Sequence, residues 1–511
     1  MSEALFLAGF MGTGKSVVGR RLARLLERPF VDTDKVVAKA LGGRSPRAVI
    51  QERGMEAFRD QEKRVITQIR GNEVVAMGGG SDLNGETRDF LKGKSVARLR
   101  APLSVIEARL GKGEGRPLWK ERKKLYLERE GEGALGIPVQ TEGLTQGAVA
   151  GRVLRQLYPD KASQKIGDGV LMGWGQMSRP LPTTTGKWVG LFDQRLGALV
   201  SEAPEGGVSH LPLVGKDRAK NLRTVERILE GLSVSGVGKD GALWVLGGGG
   251  ITDVAGLAAA LYLRGIAIHL VPTTVLGMAD AALGGKFGVN RGKGKNLLGV
   301  VRLPDSVVID PTLLAGLPLR EIRNGAAEII KMSWVWRQAA LAMGEEEWEG
   351  MGKGRLIPIE RGIQWAAKGK LKIVKRDLLE KRGLRILLNF GHTVGHALES
   401  STVPRIRHGE GVGLGMLTNT RWAERLGVAP KGTAAFLEKE LVRVGLPTSL
   451  DRELNPEAFK EAILKDKKWD KGELQVLLPT QIPNGDGGEW DTIMVYRTKR
   501  PPIDEWLAQI A

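Results

Sequence analysis

At 511 residues the chain exceeds one ordinary core, so two or three domains are expected, and no apolar run approaches the roughly 18 residues of a membrane span. Lys plus Arg outnumber Asp plus Glu by 77 to 58, but this +19 is spread along the chain and aromatics are only 5%, which argues against a nucleic-acid surface and for anionic small-molecule substrates. There is no cysteine, so thiolate ligands and disulfides are excluded, any zinc must sit on His, Asp or Glu, and a reducing cytoplasm is the natural compartment.

The first residues carry an acid and run straight into a motif, so they do not read as a signal peptide. Ala4 to Phe10 is a short apolar run ending in glycine, a buried strand by its pattern. Gly9-Phe10-Met11-Gly12-Thr13-Gly14-Lys15-Ser16 follows, then an amphipathic stretch with Val17, Val18, Leu22, Leu25 and Leu26. Strand, Gly-rich loop and helix in that order form a phosphate cradle. Backbone N–H groups of Gly12, Thr13 and Gly14 face the phosphates, Lys15 reaches the outer ones, and Ser16 ligates Mg²⁺. Asp32-Thr33-Asp34 closes a second strand-like run, Phe58 to Glu62 lies on a helical stretch, and Val74 to Ala76 is a further buried strand ending in Gly78-Gly79-Gly80. Arg116-Pro117-Leu118 comes later.

Those motifs, in that order over residues 1–157, resemble shikimate kinase. The resemblance implies a parallel sheet with helices on both faces, ATP and Mg²⁺ as cofactors, and Asp32 beside Ser16 at the magnesium. Asp34 would accept the proton of the attacked hydroxyl, Arg59, Gly79 and Gly80 would bind shikimate, and Arg116 would be the lid arginine on ATP. Only six residues separate Leu118 from Leu125-Tyr126, a shorter lid than the family's, and no arginine lies between Arg129 and Arg152 to act as its second carboxylate clamp. Weakened shikimate binding, or loss of kinase turnover with nucleotide binding kept, is the expected consequence.

A helical tail, Val149 to Leu157, ends in Tyr158-Pro159-Asp160-Lys161-Ala162-Ser163, which reads as a linker over 158–164. Leu243 to Leu246 is a buried strand feeding Gly247-Gly248-Gly249-Gly250 and a helix rich in Ala and Leu, a turn that suits a pyrophosphate. Val271-Pro272-Thr273-Thr274 ends the next strand with two hydroxyls, and Lys286, Lys295 and Asn296 stand among glycines, where backbone can approach a ligand closely.

Three of the five histidines, His392, His396 and His408, fall between Asn389 and Glu410. His392 and His396 share one face of a helix, and His408 follows a Pro-containing loop able to fold back. Glu328 sits between Ala and Ile on an apolar helical stretch, where a carboxylate is costly to bury unless paired or bound to a metal. It is the third ligand for His392 and His408. Two neutral imidazoles and one carboxylate leave open positions, as at a catalytic zinc.

Gly-Gly-Gly-x-x-x-Asp, Pro-Thr-Thr, Asp-x-x-x-Gly-Gly-Lys, Gly-Lys-Asn, Ala-Glu-x-x-Lys, Leu-Asn-Phe-Gly-His-Thr-x-Gly-His and His-Gly-Glu together resemble 3-dehydroquinate synthase over residues 165–511. The resemblance implies an α/β NAD-binding half (165–320) and a mostly helical metal- and substrate-binding half (321–511). Zn²⁺ or Co²⁺ would be held by Glu328, His392 and His408. NAD would meet Gly248, Gly249, Asp253, Thr273, Thr274 and Lys295, with Asp217 and Lys220 standing in for an earlier Glu and Lys of the family. The substrate, a phosphorylated seven-carbon keto acid (DAHP), would meet Arg264, Asp280, Lys286, Asn296, Lys331, Lys370, Arg385, Asn389, His396 and Lys468. Small molecules, shikimate and DAHP, are the expected partners, without nucleic acid or membrane, and a homodimer through the synthase part is an open expectation. One rival is a metal-dependent NAD polyol or alcohol dehydrogenase behind a degenerate P-loop domain, which would not need the lysine-rich grip on phosphate. A basic nucleic-acid-binding protein is the rival of another class.

Overall fold

The computed structural model describes residues 3–42, 45–81, 84–110, 135–179, 181, 185–215, 219–292, 294–485 and 488–510. The chain divides into two compact units, Met1–Lys161 and Ala162–Ala511. Among the described residues no helix is long and apolar enough to cross a membrane.

In the first unit five parallel strands, β1 (Leu5–Gly9), β2 (Phe30–Asp32), β3 (Val74–Ala76), β4 (Ser95–Arg100) and β5 (Ile137–Gln140), form one sheet in the order β2-β3-β1-β4-β5. The near-continuous apolar run of β1 fits a central strand: Leu5, Phe6 and Leu7 are wholly buried between helix layers. Chain connections leave β1 and β4 in opposite directions, so the crevice for a ligand opens at the end of β1. The Gly-rich loop sits there, followed by the helix Lys15–Leu26.

The second unit is built on a seven-stranded sheet: β6 (Gln164–Gly167), β7 (Val170–Met172), β8 (Trp188–Asp193), β9 (Gly207–Leu213), β10 (Ala242–Gly247), β11 (Ala267–Pro272) and β14 (Ser306–Ile309). Their order is β6-β7-β14-β11-β10-β8-β9, parallel except at the β6–β7 edge hairpin. The glycine-rich segment after the linker is thus an edge hairpin of this sheet. Connections from β8 and β10 again diverge, which puts the glycine turn after β10 at the switch point. An antiparallel hairpin, β12 (Lys286–Arg291) with β13 (Gly294–Val301), stands apart from the sheet.

Beyond Leu319 the unit is mainly helical, with a small antiparallel sheet near the C-terminus. Helix His392–Ser401 shows how its sequence sets its orientation. Val394, Ala397 and Leu398 pack into a core with Phe459, Leu474, Val476 and Trp506, while His392, His396 and Glu399 fall on another face. This helix lies against His408–Arg425 along a seam of four glycines. A Cβ at Gly391 would come 2.6 Å from Val412 O, one at Gly411 3.0 Å from Gly395 O, and one at Gly415 would overlap Gly391 O. Gly391 also needs its left-handed backbone (φ +77°) to start the helix.

Candidate active sites

In the first unit the Gly-rich loop turns through positive φ at Gly9, Gly12 and Gly14. Lys15 folds over it, its Nζ donating to Gly9 O at 2.7 Å and Phe10 O at 2.9 Å, so the charge is centred above the loop. No side chain caps the helix Lys15–Leu26 and its first turn holds no acid, which leaves a dipole end suited to an anion.

Across from the loop, Asp32 ends β2 and Asp34 lies in the first turn of the helix Thr33–Ala40. Glu62, to which no role was assigned from its motif, is buried there. It pairs with Arg59 and accepts from Ser81 Oγ at 2.6 Å. Gly78 N donates to Thr33 Oγ1 at 2.9 Å, and a side chain at Gly78 would overlap Glu62 and come within 2.5 Å of Asp34 Oδ1. One at Gly80 would overlap the Arg59 guanidinium. Gly79 lies against Met11 of the loop. The strand end, Arg59, Asp34 and the cradle therefore form one pocket. Burial, with Glu62 adding to it, pushes the Asp34 carboxyl up from its ordinary range. Arg116 and the shortened lid lie outside the described residues.

In the second unit Gly248 and Gly249 begin the helix Gly249–Leu261 without a side-chain cap. Thr273 N donates to Gly247 O at 3.0 Å, and Thr274 caps the following helix, its Oγ1 accepting from Gly277 N at 3.0 Å. A Cβ at Gly248 would come 3.1 Å from Thr274 Cγ2, so the two strand ends touch. Asp253, in this first helix, pairs with Lys220 at 2.5 Å. Asp217 lies outside the described residues.

The metal-ligand candidates converge. Glu328 projects from the helix Leu319–Val335 and is wholly buried; His408 Nε2 lies 2.8 Å from its Oε1 and His392 Nε2 3.5 Å from the same oxygen. One potential ligand atom from each lies within 4.8 Å of the other two, and the His392 and His408 ring centroids are 5.3 Å apart. His392 Nδ1 faces Phe390 O at 3.1 Å and His408 Nδ1 faces Glu399 at 2.9 Å, so both Nε2 atoms are left for Glu328 or an ion. A nitrogen–nitrogen–oxygen donor set with outer hydrogen bonds on both imidazoles fits zinc or cobalt. Burial raises the Glu328 carboxyl, but Lys331, His392 and His408 outweigh it and hold it well below its ordinary value. Burial alone would lower His408, yet Glu328 and Glu399 together hold it up at about 10.

Cationic side chains gather beside this set. Lys331, one helical turn from Glu328, pairs with it and lies 4.0 Å from Asp280 Oδ2, while Lys370 reaches Asp280 Oδ1 at 2.6 Å. Arg385 is buried and donates to Gly284 O at 2.6 Å; Lys286 pairs with Glu380 at 2.6 Å. Lys468 is partly buried and paired with Asp466 at 2.7 Å. His396, exposed at its surface, has its ring 5.3 Å from that of His392, and desolvation by the neighbouring protein lowers it, with Lys468 and Lys295 pressing the same way against Glu399. Asn389 is half-buried just ahead of His392.

Three residues are placed differently from the rest. Lys295, expected at NAD, has its ammonium on Glu399, because that buried carboxylate is a near counter-charge. Asn296 is exposed on β13, its backbone N held by Asn290 Oδ1 at 3.0 Å. Arg264 is exposed, left-handed in backbone (φ +60°), and just past the C-terminal end of helix Gly249–Leu261, so the helix carries it away from the glycine turn. Glu399 itself went unread in the sequence, although its spacing after His396 puts it on the same helical face.

Family models agree with this geometry: shikimate kinase matches residues 11–134, and the N-terminal and C-terminal parts of 3-dehydroquinate synthase match 210–324 and 325–469. A bifunctional shikimate kinase/3-dehydroquinate synthase of Thermotoga maritima is 29% identical over 93% of this chain and 95% of its own length. The 3-dehydroquinate synthase of Nostoc punctiforme is 37% identical over 66% of this chain and 90% of its own. Among solved structures, a 2-epi-5-epi-valiolone synthase from Streptomyces hygroscopicus with NAD⁺ and Zn²⁺ bound is 25% identical, with a TM-score of 0.57 over 68% of this chain and 97% of that one. The chain belongs to the 3-dehydroquinate synthase family and carries a shikimate kinase domain ahead of the synthase, which makes it a bifunctional enzyme of the shikimate pathway.

Proposed function

We propose that residues 1–157 transfer a phosphoryl group from MgATP to shikimate, that 158–164 serve as linker, and that 165–511 convert DAHP to 3-dehydroquinate in the cytoplasm. In the kinase, Lys15 and the loop N–H groups (Gly12, Thr13, Gly14) hold the nucleotide, Ser16 and Asp32 the magnesium, and Arg59 the shikimate carboxylate, with Gly79 and Gly80 leaving room beside it. Asp34 takes the hydroxyl proton. Its raised affinity for a proton, set by burial, suits that role.

In the synthase, Glu328, His392 and His408 would hold Zn²⁺ or Co²⁺, and the turn Gly248–Gly249 with Asp253, Thr273 and Thr274 would hold NAD. When bound, these groups supply hydroxyl polarisation and a hydride acceptor that is regenerated each turnover. The chain's own cations do the rest. Lys331, Lys370 and Arg385 face Asp280 in a buried pocket, and with Lys286 and Lys468 they neutralise a substrate bearing phosphate and carboxylate. His396, exposed on the helical face it shares with Glu399, can exchange a proton there. Convergence of the two imidazoles on buried Glu328 is the observation that carries this reading. The exposed Leu261, Leu263, Leu297 and Val301 around Arg264 and the β12–β13 hairpin supply an apolar surface for a homodimer through the synthase part.

The test is phosphate release from DAHP by the full chain with NAD, with and without a chelator. Chelator-sensitive release without accumulating NADH is expected. Net NADH from a simple polyol, with no phosphate from DAHP, would replace this reading by a dehydrogenase. Sedimentation of the full chain checks the dimer.

A further inference from the structure

Glu399 lies on the helix that carries His392 and His396, on the face they share. It is buried, and burying a carboxylate is costly unless it is paired. His408 Nδ1 lies 2.9 Å from its Oε1, Lys295 of β13 pairs with its Oε2, and Arg405 stands 3.7 Å from Oε2. By accepting from Nδ1–H, Glu399 fixes which ring nitrogen points away from the site, so that Nε2, the nitrogen beside Glu328 Oε1, is the one an ion would take. His392 differs. Its Nδ1 faces only a backbone carbonyl, Phe390 O, at 3.1 Å. The two imidazoles are therefore oriented unequally, one by a neutral acceptor and one by a full negative charge. A carboxylate behind an imidazole holds the ring and makes its other nitrogen a stronger donor.

We propose that Glu399 is a positioning residue for the metal centre: it locks His408 with Nε2 toward the ion and, through Lys295, ties that ligand to the β12–β13 hairpin. The inference rests on Glu328, His392 and His408 being the metal ligands. A simpler role, a counter-ion for Lys295, makes a different prediction. In that case Lys295→Met would weaken metal binding as much as Glu399→Gln does.

The experiment is Zn²⁺ and Co²⁺ affinity of the metal-free full chain by competition with a chromogenic chelator, together with the visible spectrum of the Co²⁺ form. Glu399→Gln should weaken the metal about 10- to 100-fold. The Co²⁺ bands should shift, and the thermal melt of the metal-free chain should stay in place. Glu399→Asp, a carboxylate on a shorter arm, should recover part of the affinity and also serves if the Gln variant folds poorly. Lys295→Met should have the smaller effect. Wild-type affinity and spectrum in Glu399→Gln, with His408→Ala unable to bind, overturn this proposal alone. A wild-type chain that takes up no stoichiometric metal, or a His408→Ala chain that binds as tightly, overturns the ligand assignment and this proposal with it.

Discussion

Glu440, on the helix Thr433–Val444, carries none of the assigned chemistry, yet it is almost wholly buried. Trp334 Nε1 donates to its Oε2 at 2.7 Å. Burial dominates and pushes the carboxyl from 4.5 up to about 7, against the indole hydrogen bonds and Arg443, which pull it down. The unfolded chain releases this proton near 4.5 and the folded chain near 7, so between those values the folded state holds more protons and loses stability as pH rises. The full cost, present above 7, is about 3 kcal/mol for that difference. Glu440→Gln removes the charge and keeps an oxygen for Trp334. For a unit spanning 162–511, an unfolding entropy near 2.1 cal/mol/K per residue converts about 3 kcal/mol into roughly 4 °C. Thermal melts at about pH 5 and about pH 8, at one scan rate, should show the variant gaining that margin only at the higher pH. An equal difference between variant and wild type at both pH values would refute the reasoning.

Three further outcomes follow from contacts already described. Gly409→Ala would drive a methyl into the Asn324 backbone carbonyl where the His408 helix begins, so both metal content and melting temperature should fall, with an overpacking cost of about 1–3 kcal/mol; normal metal content would count against it. Lys370→Met strips Asp280 of its nearest counter-charge and should destabilise by about 2 kcal/mol, less than for a fully broken buried pair because Lys331 remains. Adding Asp280→Asn should return much of that in a melt, and an additive double variant would contradict the pairing. Gly80→Ala should displace the Arg59 guanidinium, a movable side-chain end, raising KM for shikimate in a coupled ADP assay while phosphate release from DAHP stays normal.

The sequence made the local architecture legible wherever backbone chemistry and residue type coincide. Gly12, Gly14, Lys15 and Ser16 between a strand and a helix admit few other readings, and the intervals from His392 to His396 place two imidazoles on one helical face. Glu328 was legible because a lone acid among Ala and Ile is costly to bury. What stayed hidden depends on chain reversal and on distant partners. Lys295 looks like a ligand-facing lysine until the fold brings Glu399, 104 residues later, against it. Glu62 looks like a surface acid on a helix until Ser81 and Arg59 close around it. Arg264, expected at the substrate from the family resemblance, has a position decided by the length of the helix before it, not by its neighbours in sequence.

The glycine seam between the helices bearing His392 and His408 also sets what the site can hold. Gly391, Gly395, Gly411 and Gly415 bring main chain against main chain at that crossing, with the Met416 side chain beside Gly391. Ions of differing radius are then accommodated by rotation of imidazole rings and of the Glu328 carboxylate, not by the helices stepping apart. The gauge of the site is set largely by the backbone, so altering its metal preference by mutation means changing the donor atoms or their outer partners.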